Sequence, residues 1–179
     1  QQRMAWLEAQ LADGNKQKRL ASEQEKARAA LLETVRRLAP ASTAGGFGRR
    51  RGQLPWPASG RLVESFGDRL ETASRTTTVH NGVTLQASPG APVQAVAAGT
   101  VALADWLEGY GQVVILDHGD GYHTVSAHLG ALRVATGERV DAGATVGTVG
   151  DTGSLRGTRL YFEVRSRGVP EDPLRWLRK

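Results

Sequence analysis

Cysteine is absent from the 179 residues. That excludes disulfides and thiolate metal sites and says nothing of the redox compartment. No run of 18 or more apolar residues occurs, so no segment reads as a membrane-spanning helix. Aromatics make up only 6%, and no aromatic platform accompanies the Arg49-Arg50-Arg51 triplet, so a solvated stretch is the expected reading and no nucleic-acid partner is expected. The chain opens on Gln1-Gln2 with neither an initiator Met nor a charged-then-apolar leader, which leads us to expect a fragment or a processed form.

The net charge of +5 is unevenly placed. Residues 1–52 hold 11 Lys and Arg against 5 Asp and Glu, whereas 53–179 hold 12 against 13. The basic excess therefore belongs to an N-terminal segment whose composition differs from the rest. From Met4 to Leu38 that segment is rich in Ala, Leu, Gln, Glu, Lys and Arg, the residues that lose least on entering a helix. Met4, Leu7 and Leu11 keep one helical spacing, and Leu20, Gln24, Ala27, Leu31, Thr34 or Val35, and Leu38 keep another. Asp13-Gly14-Asn15 between them has the composition of a helix stop. Two helices are expected, at 3–12 and 17–38. Each carries an apolar stripe and needs a surface to lie on, because a free helix of this length is marginal in water.

Residues 1–39 thus form a helical segment, and 40–53, full of small residues without periodicity, a flexible linker. Residues 54–179 form a domain of short β-patterned runs between glycine turns, with strands expected at 61–66, 79–85, 99–104, 112–117, 122–128, 145–149 and 159–164. The stretches 92–101 and 140–147 look like paired hairpin edges. With no long helix between strands, the fold class is mainly β, an antiparallel sandwich or half-open barrel preceded by N-terminal helices. A lipoyl-type domain shares such hairpins, but no lysine stands at a tip to take a cofactor.

The run Arg159-Leu160-Tyr161-Phe162-Glu163-Val164-Arg165 alternates an apolar face with a polar one. With Gly147-Thr148-Val149-Gly150-Asp151-Thr152-Gly153 before it and Pro170-Glu171-Asp172-Pro173-Leu174-Arg175-Trp176-Leu177 after it, the run resembles the last third of the LytM/lysostaphin-type zinc peptidases of bacterial cell walls. The resemblance covers about 54–177. It implies that the first zinc ligand matches His80, the ligand Asp matches Thr84 and the third ligand matches Tyr161. It also implies that the two histidines assisting the attacking water match His128 and Arg159. Two of three ligands are replaced. A hydroxyl is a poor zinc donor and a phenol near its reference pKa of about 10 is protonated at neutral pH, while Arg159 sets a fixed charge against a cation. These five positions are expected to be a degenerate former active site, with no metal, no cofactor and no catalytic residue.

His118 and His123 flank a Gly119-Asp120-Gly121 turn and are expected to be solvated rather than metal-binding. Glu163 with Asp117 could form a carboxylate pair, though a structural Glu163 near Arg165 is the plainer reading. Gly150-Asp151-Thr152-Gly153 has the form of an aspartic-protease loop in a single copy and reads as a turn.

The departures, together with Ala104-Asp105-Trp106-Leu107-Glu108-Gly109-Tyr110-Gly111-Gln112-Val113-Val114 and the helical segment in front, resemble the EnvC-type murein hydrolase activators. The resemblance implies a non-catalytic periplasmic protein that switches on N-acetylmuramoyl-L-alanine amidases to split septal peptidoglycan in cell division, by binding the amidase's inhibitory helix in the former cleft. It implies an amidase-binding groove at Asn81, Thr84, Tyr110, Val113, Tyr161 and Arg165, with Ser126 and His128 alongside. It further implies an autoinhibitory helix, best matched by 17–38, and an upstream coiled coil reaching an inner-membrane division complex. Peptidoglycan is a further candidate ligand. The alternative is a zinc-dependent peptidoglycan endopeptidase with an altered ligand set around His80 and His128.

Overall fold

The computed structural model describes residues 2–38, 45–71 and 77–179, with the side chains of 70, 71, 77 and 78 left undescribed. One helix, α1 (Gln2–Arg37), takes up the N-terminal segment, where two helices were expected. Asp13-Gly14-Asn15 does not stop it. Gly14 is not among the glycines of positive φ, and a glycine inside a helix costs only about 1 kcal/mol against Ala, which the flanking helix formers offset. No helix among the described residues is long and apolar enough to cross a membrane.

Among the described residues twelve strands follow. They are β1 (Arg61–Glu64), β2 (Arg69–Glu71), β3 (Thr77–Val79), β4 (Val83–Gln86), β5 (Pro92–Gln94), β6 (Gly99–Leu107), β7 (Gly111–Gly119), β8 (Tyr122–Leu132), β9 (Arg139–Val140), β10 (Thr145–Val149), β11 (Leu160–Ser166) and β12 (Val169–Glu171). Ten of them form one antiparallel sheet in the order β1-β4-β11-β8-β7-β6-β9. β10 joins both β5 and β8, and β12 lies on β11. The β5–β10 pairing unites the two stretches read as hairpin edges. The strand expected at 79–85 is two pieces in two sheets, because the chain bends at 80–82. Gly82 permits that bend: a Cβ there would meet the Phe162 carbonyl at 2.3 Å and Glu163 Cγ at 2.9 Å, so only glycine lets the bend lie against β11.

β7 shows why the sheet is covered on both sides. Val114 and Leu116 point into a core shared with Leu85 of β4 and Val140 of β9. These strands stand near opposite ends of the sheet order, so the sheet curls around this core. Val113 and Ile115 point the other way, as the period of two demands. There they meet Ala27, Leu31 and Val35 of α1, in one cluster with Ala102, Tyr110, Val125, Ala127 and Tyr161. Leu31 is fully buried and Val35 only 4% exposed. The first turns of α1 stand clear of the sheet, with Met4, Trp6, Leu7 and Leu11 exposed.

Of the stretch expected to be a flexible linker, 40–44 lies outside the described residues, and the remainder is anchored. Phe47 opens a 3-10 turn (Phe47–Arg50) and is buried, its ring 4.6 Å from His118, 5.1 Å from Tyr122 and 4.9 Å from Trp176 between centroids. Leu54 then bridges to Leu177. Phe47→Ala is expected to destabilise the domain by about 3 to 5 kcal/mol through loss of buried surface and the cavity left behind. The midpoint of a denaturant titration measures it.

Candidate functional site

The outer face of β7, β8 and β11, where the groove was expected, carries Val113, Ile115, Val125, Ala127 and two tyrosines, and α1 packs against it. Gly109, in the turn between β6 and β7 at φ +83°, touches the helix so closely that a Cβ there would stand 2.3 Å from Ala27 Cβ. Tyr110 and Tyr161 are each 7% exposed with ring centroids 5.5 Å apart. Burial first, and the nearby Glu163 carboxylate second, hold both phenols above their ordinary pKa, so they are neutral at any physiological pH.

Beyond Tyr161 the groove meets His80, whose ring lies edge-on to it at 5.3 Å, and His128, at 6.4 Å. His128 occupies the left-handed region at φ 60°. It sits in a bulge where β8 spends one more residue than β7 between the pairs Gln112–Leu129 and Val114–Ser126. Its N–H donates to the Tyr110 carbonyl and its Nδ1–H to that of Thr152, both at 2.8 Å. Burial pulls its pKa below the ordinary imidazole value.

The residue that ties this end together is Glu64, which no motif in the sequence marks. A second bulge, at Val63, places Glu64 opposite Thr84. One carboxylate oxygen accepts from Thr84 Oγ1 at 2.8 Å and lies 3.0 Å from His80 Nε2; the other accepts from Arg156 Nη1 at 2.6 Å. Arg159 Nη1 stands 3.9 Å away. His80 Nδ1 faces the Gly82 carbonyl at 2.8 Å, so both ring nitrogens address oxygen acceptors.

The His80 bond chiefly holds the Glu64 pKa down, to about 2 from 4.5. A carboxylate depressed on folding contributes stability that is complete above its unfolded value and is lost as pH falls toward the folded one. The parent protein is therefore expected to lose stability between pH 4.5 and about 2 more steeply than a Glu64→Gln variant, as thermal melts across that range would show.

On β11 the polar row is internally satisfied. Tyr161 Oη donates to Glu163 Oε1 and Arg165 Nε to Glu163 Oε2, each at 2.5 Å, and Arg165 Nη1 donates to the Gly168 carbonyl at 3.0 Å. Glu163 is fully buried and Arg165 only 1% exposed.

Several expected positions therefore change meaning. Tyr110, Val113 and Tyr161 lie under α1, while Thr84 and His80 are bound to Glu64. Asn81 is half-buried in the bend beside His80. Arg165 offers no exposed charge, because it neutralises Glu163. Ser126 pairs across the sheet with Phe162 and Val114, so it shares their inward face and does not line the groove. His118, expected in solvent, is 1% exposed between the Ala98 carbonyl and Thr124 Oγ1, and burial lowers its pKa to about 4.

Zinc does not fit these residues. Three nitrogen, sulfur or carboxylate donors are needed. Tyr161 turns its hydroxyl to Glu163, Thr84 supplies only a hydroxyl already given to Glu64, and two guanidiniums flank the place. Among the described residues no group of three His, Cys, Asp or Glu could hold an ion.

The model of peptidase family M23 matches residues 78–173, just over half of the chain. The chain belongs to peptidase family M23. This M23 chain is 38% identical over 136 residues to the murein hydrolase activator EnvC of Escherichia coli K12, covering 76% of the chain and 32% of that protein. It is 36% identical over 114 residues to the DD-carboxypeptidase/endopeptidase Mpg of Neisseria meningitidis, covering 64% of the chain and 26% of that protein. Among solved structures it resembles a putative M23 peptidase of Pseudomonas aeruginosa with a TM-score of 0.67 and 26% identity, over 87% of the chain and 61% of that structure. The M23 chain thus spans about a third of the curated relatives it matches, and the antiparallel sheet with a helix in front is the fold expected from the residues.

Proposed function

We propose that this M23 domain is a non-catalytic activator of N-acetylmuramoyl-L-alanine amidases in the periplasm, acting in septal peptidoglycan splitting, and that α1 holds it inactive by lying in the amidase-binding groove. The observation that carries the proposal is the packing of Ala27, Leu31 and Val35 over Tyr110, Val113 and Tyr161, beside a pocket whose donors cannot bind zinc. A face that would otherwise expose two tyrosines amid aliphatic groups has the composition of a protein-binding hot spot. The similarity to a protein named murein hydrolase activator supports the same reading.

Tyr110, Val113 and Tyr161 are the proposed contacts, with Thr84, Asn81 and His128 at the rim. Arg165 acts by neutralising Glu163 on the face that carries Tyr161, and Ser126 by packing on the opposite face. An upstream coiled coil reaching an inner-membrane division complex completes the proposal, and peptidoglycan is a further candidate ligand. The endopeptidase reading draws on the relative named DD-carboxypeptidase/endopeptidase, and the donor set weighs against it.

Amidase turnover of labelled peptidoglycan, measured with and without the chain, tests the proposal. A chain relieved of α1 is expected to stimulate the amidase several-fold, the parent chain little, and neither should cut peptide bonds alone. New peptide termini generated by the chain itself, or no stimulation by the relieved chain, would overturn it.

A further inference from the structure

We infer that the groove reads a helix through three positions, a residue no larger than alanine, then leucine four residues on, then a β-branched residue four further, and that the partner is an amphipathic helix carrying that spacing. Naming a second protein as the source of the helix rests on the function proposed above; the spacing itself rests on α1.

Ala27, Leu31 and Val35 are the buried residues of α1. Steps of four keep side chains in one nearly straight ridge along a helix, so the three enter the groove in line. The first meets Gly109. Because a Cβ on Gly109 would come within 2.3 Å of Ala27 Cβ, the methyl already fills the space above a bare backbone turn. A leucine or valine at 27 has only that backbone to displace, and backbone does not give as a flexible side chain does. The second position is a filled pocket, since Leu31 keeps no exposed surface among the tyrosines and aliphatic groups of the cluster. The third, Val35, closes the ridge at 4% exposure.

Between these positions Arg28, Leu32 and Thr34 are half-buried, and the rest of the helix surface is free. Lys26, Ala29, Ala30, Glu33 and Arg36 are exposed, so a partner with quite different polar residues would satisfy the same groove. The small first position also sets polarity and register. A helix shifted by one turn would bring leucine onto Gly109.

The test uses the full chain carrying Leu31→Asp, confirmed folded by its thermal melt, as receptor. The probes are fluorescent peptides of residues 19–38 with the parent sequence, with Ala27→Leu, with Leu31→Ala, and with the same residues scrambled, followed by anisotropy. Ala and Leu have similar helix propensity, so the first substitution changes fit rather than helicity. The parent peptide is expected to bind, Ala27→Leu to bind at least tenfold more weakly, Leu31→Ala about thirtyfold more weakly, and the scrambled peptide not at all. Equal binding of the parent and Ala27→Leu peptides overturns the inference. Binding that follows the spacing, with no amidase stimulation by the Leu31→Asp chain, leaves the spacing intact and removes the activator reading. Stimulation without any peptide binding does the reverse.

Discussion

Replacing Leu31 by Asp is expected to lift α1 off the sheet and turn a weak amidase activator into a full one, while the M23 domain stays folded. A usable switch needs its blocked state favoured by about 2 to 3 kcal/mol, which leaves the open state near 1%. Burial of a leucine and a valine side chain, each contributing about 1.5 to 3 kcal/mol before ordering costs, is enough to supply that difference. Asp at 31 forfeits the leucine share and adds the cost of a carboxylate with no partner in an apolar slot, so the equilibrium inverts and the open fraction rises by roughly two orders of magnitude.

The tyrosines provide a readout independent of any amidase. Burial raises the Tyr110 phenol above its ordinary value in the parent. Once α1 leaves, that phenol returns toward a pKa of about 10, visible as an earlier rise in phenolate absorbance on alkaline titration. The chain has only three tyrosines, so one changed titration is resolvable. An unchanged titration together with unchanged activation would sink the autoinhibition proposal. The domain should survive, because its enclosed core of Leu85, Val114, Leu116, Leu129 and Leu160 contains no residue of α1.

The sequence carried the alternation of β11 and the helical stripe through 27 and 31 plainly, with 34 and 35 left as alternatives, since both are periodicities of the residues themselves. It did not carry parity across the sheet. Ser126 and Ala127 are adjacent, and only the pairing of Ala127 with Tyr161 decides which of them faces the groove. Glu64 was hidden for a related reason, because a bulge at Val63 aims it and no local pattern announces a bulge without its partner strand. Phe47 did leave a trace: a lone aromatic in a stretch of glycines is poorly suited to a solvated linker, and its ring proves to be stacked on His118. Gly14 misled in the other direction, since its turn composition was weighed above the helix formers on both sides.

Arg165→Ala is expected to cost about 3 to 5 kcal/mol, the usual result of removing one partner from a buried ion pair. Glu163 has no exposed surface, and among the described residues its oxygens are held by the Tyr161 hydroxyl and the Arg165 guanidinium. Without Arg165 a carboxylate remains in the interior with a single hydrogen bond. Against a total stability of 5 to 15 kcal/mol, such a loss lowers the melting temperature by roughly 10 °C or more. The paired replacement Glu163→Gln with Arg165→Met removes both charges while keeping similar volumes, so it is expected to lose much less. A melting temperature for Arg165→Ala within about 2 °C of the parent would contradict the buried pair. This outcome also decides how an activation defect at this position is to be read. If amidase stimulation falls in Arg165→Ala and returns in the paired replacement, Arg165 serves the groove by neutralising Glu163 beside Tyr161; if it stays lost in a stable paired variant, the guanidinium is itself needed by the partner.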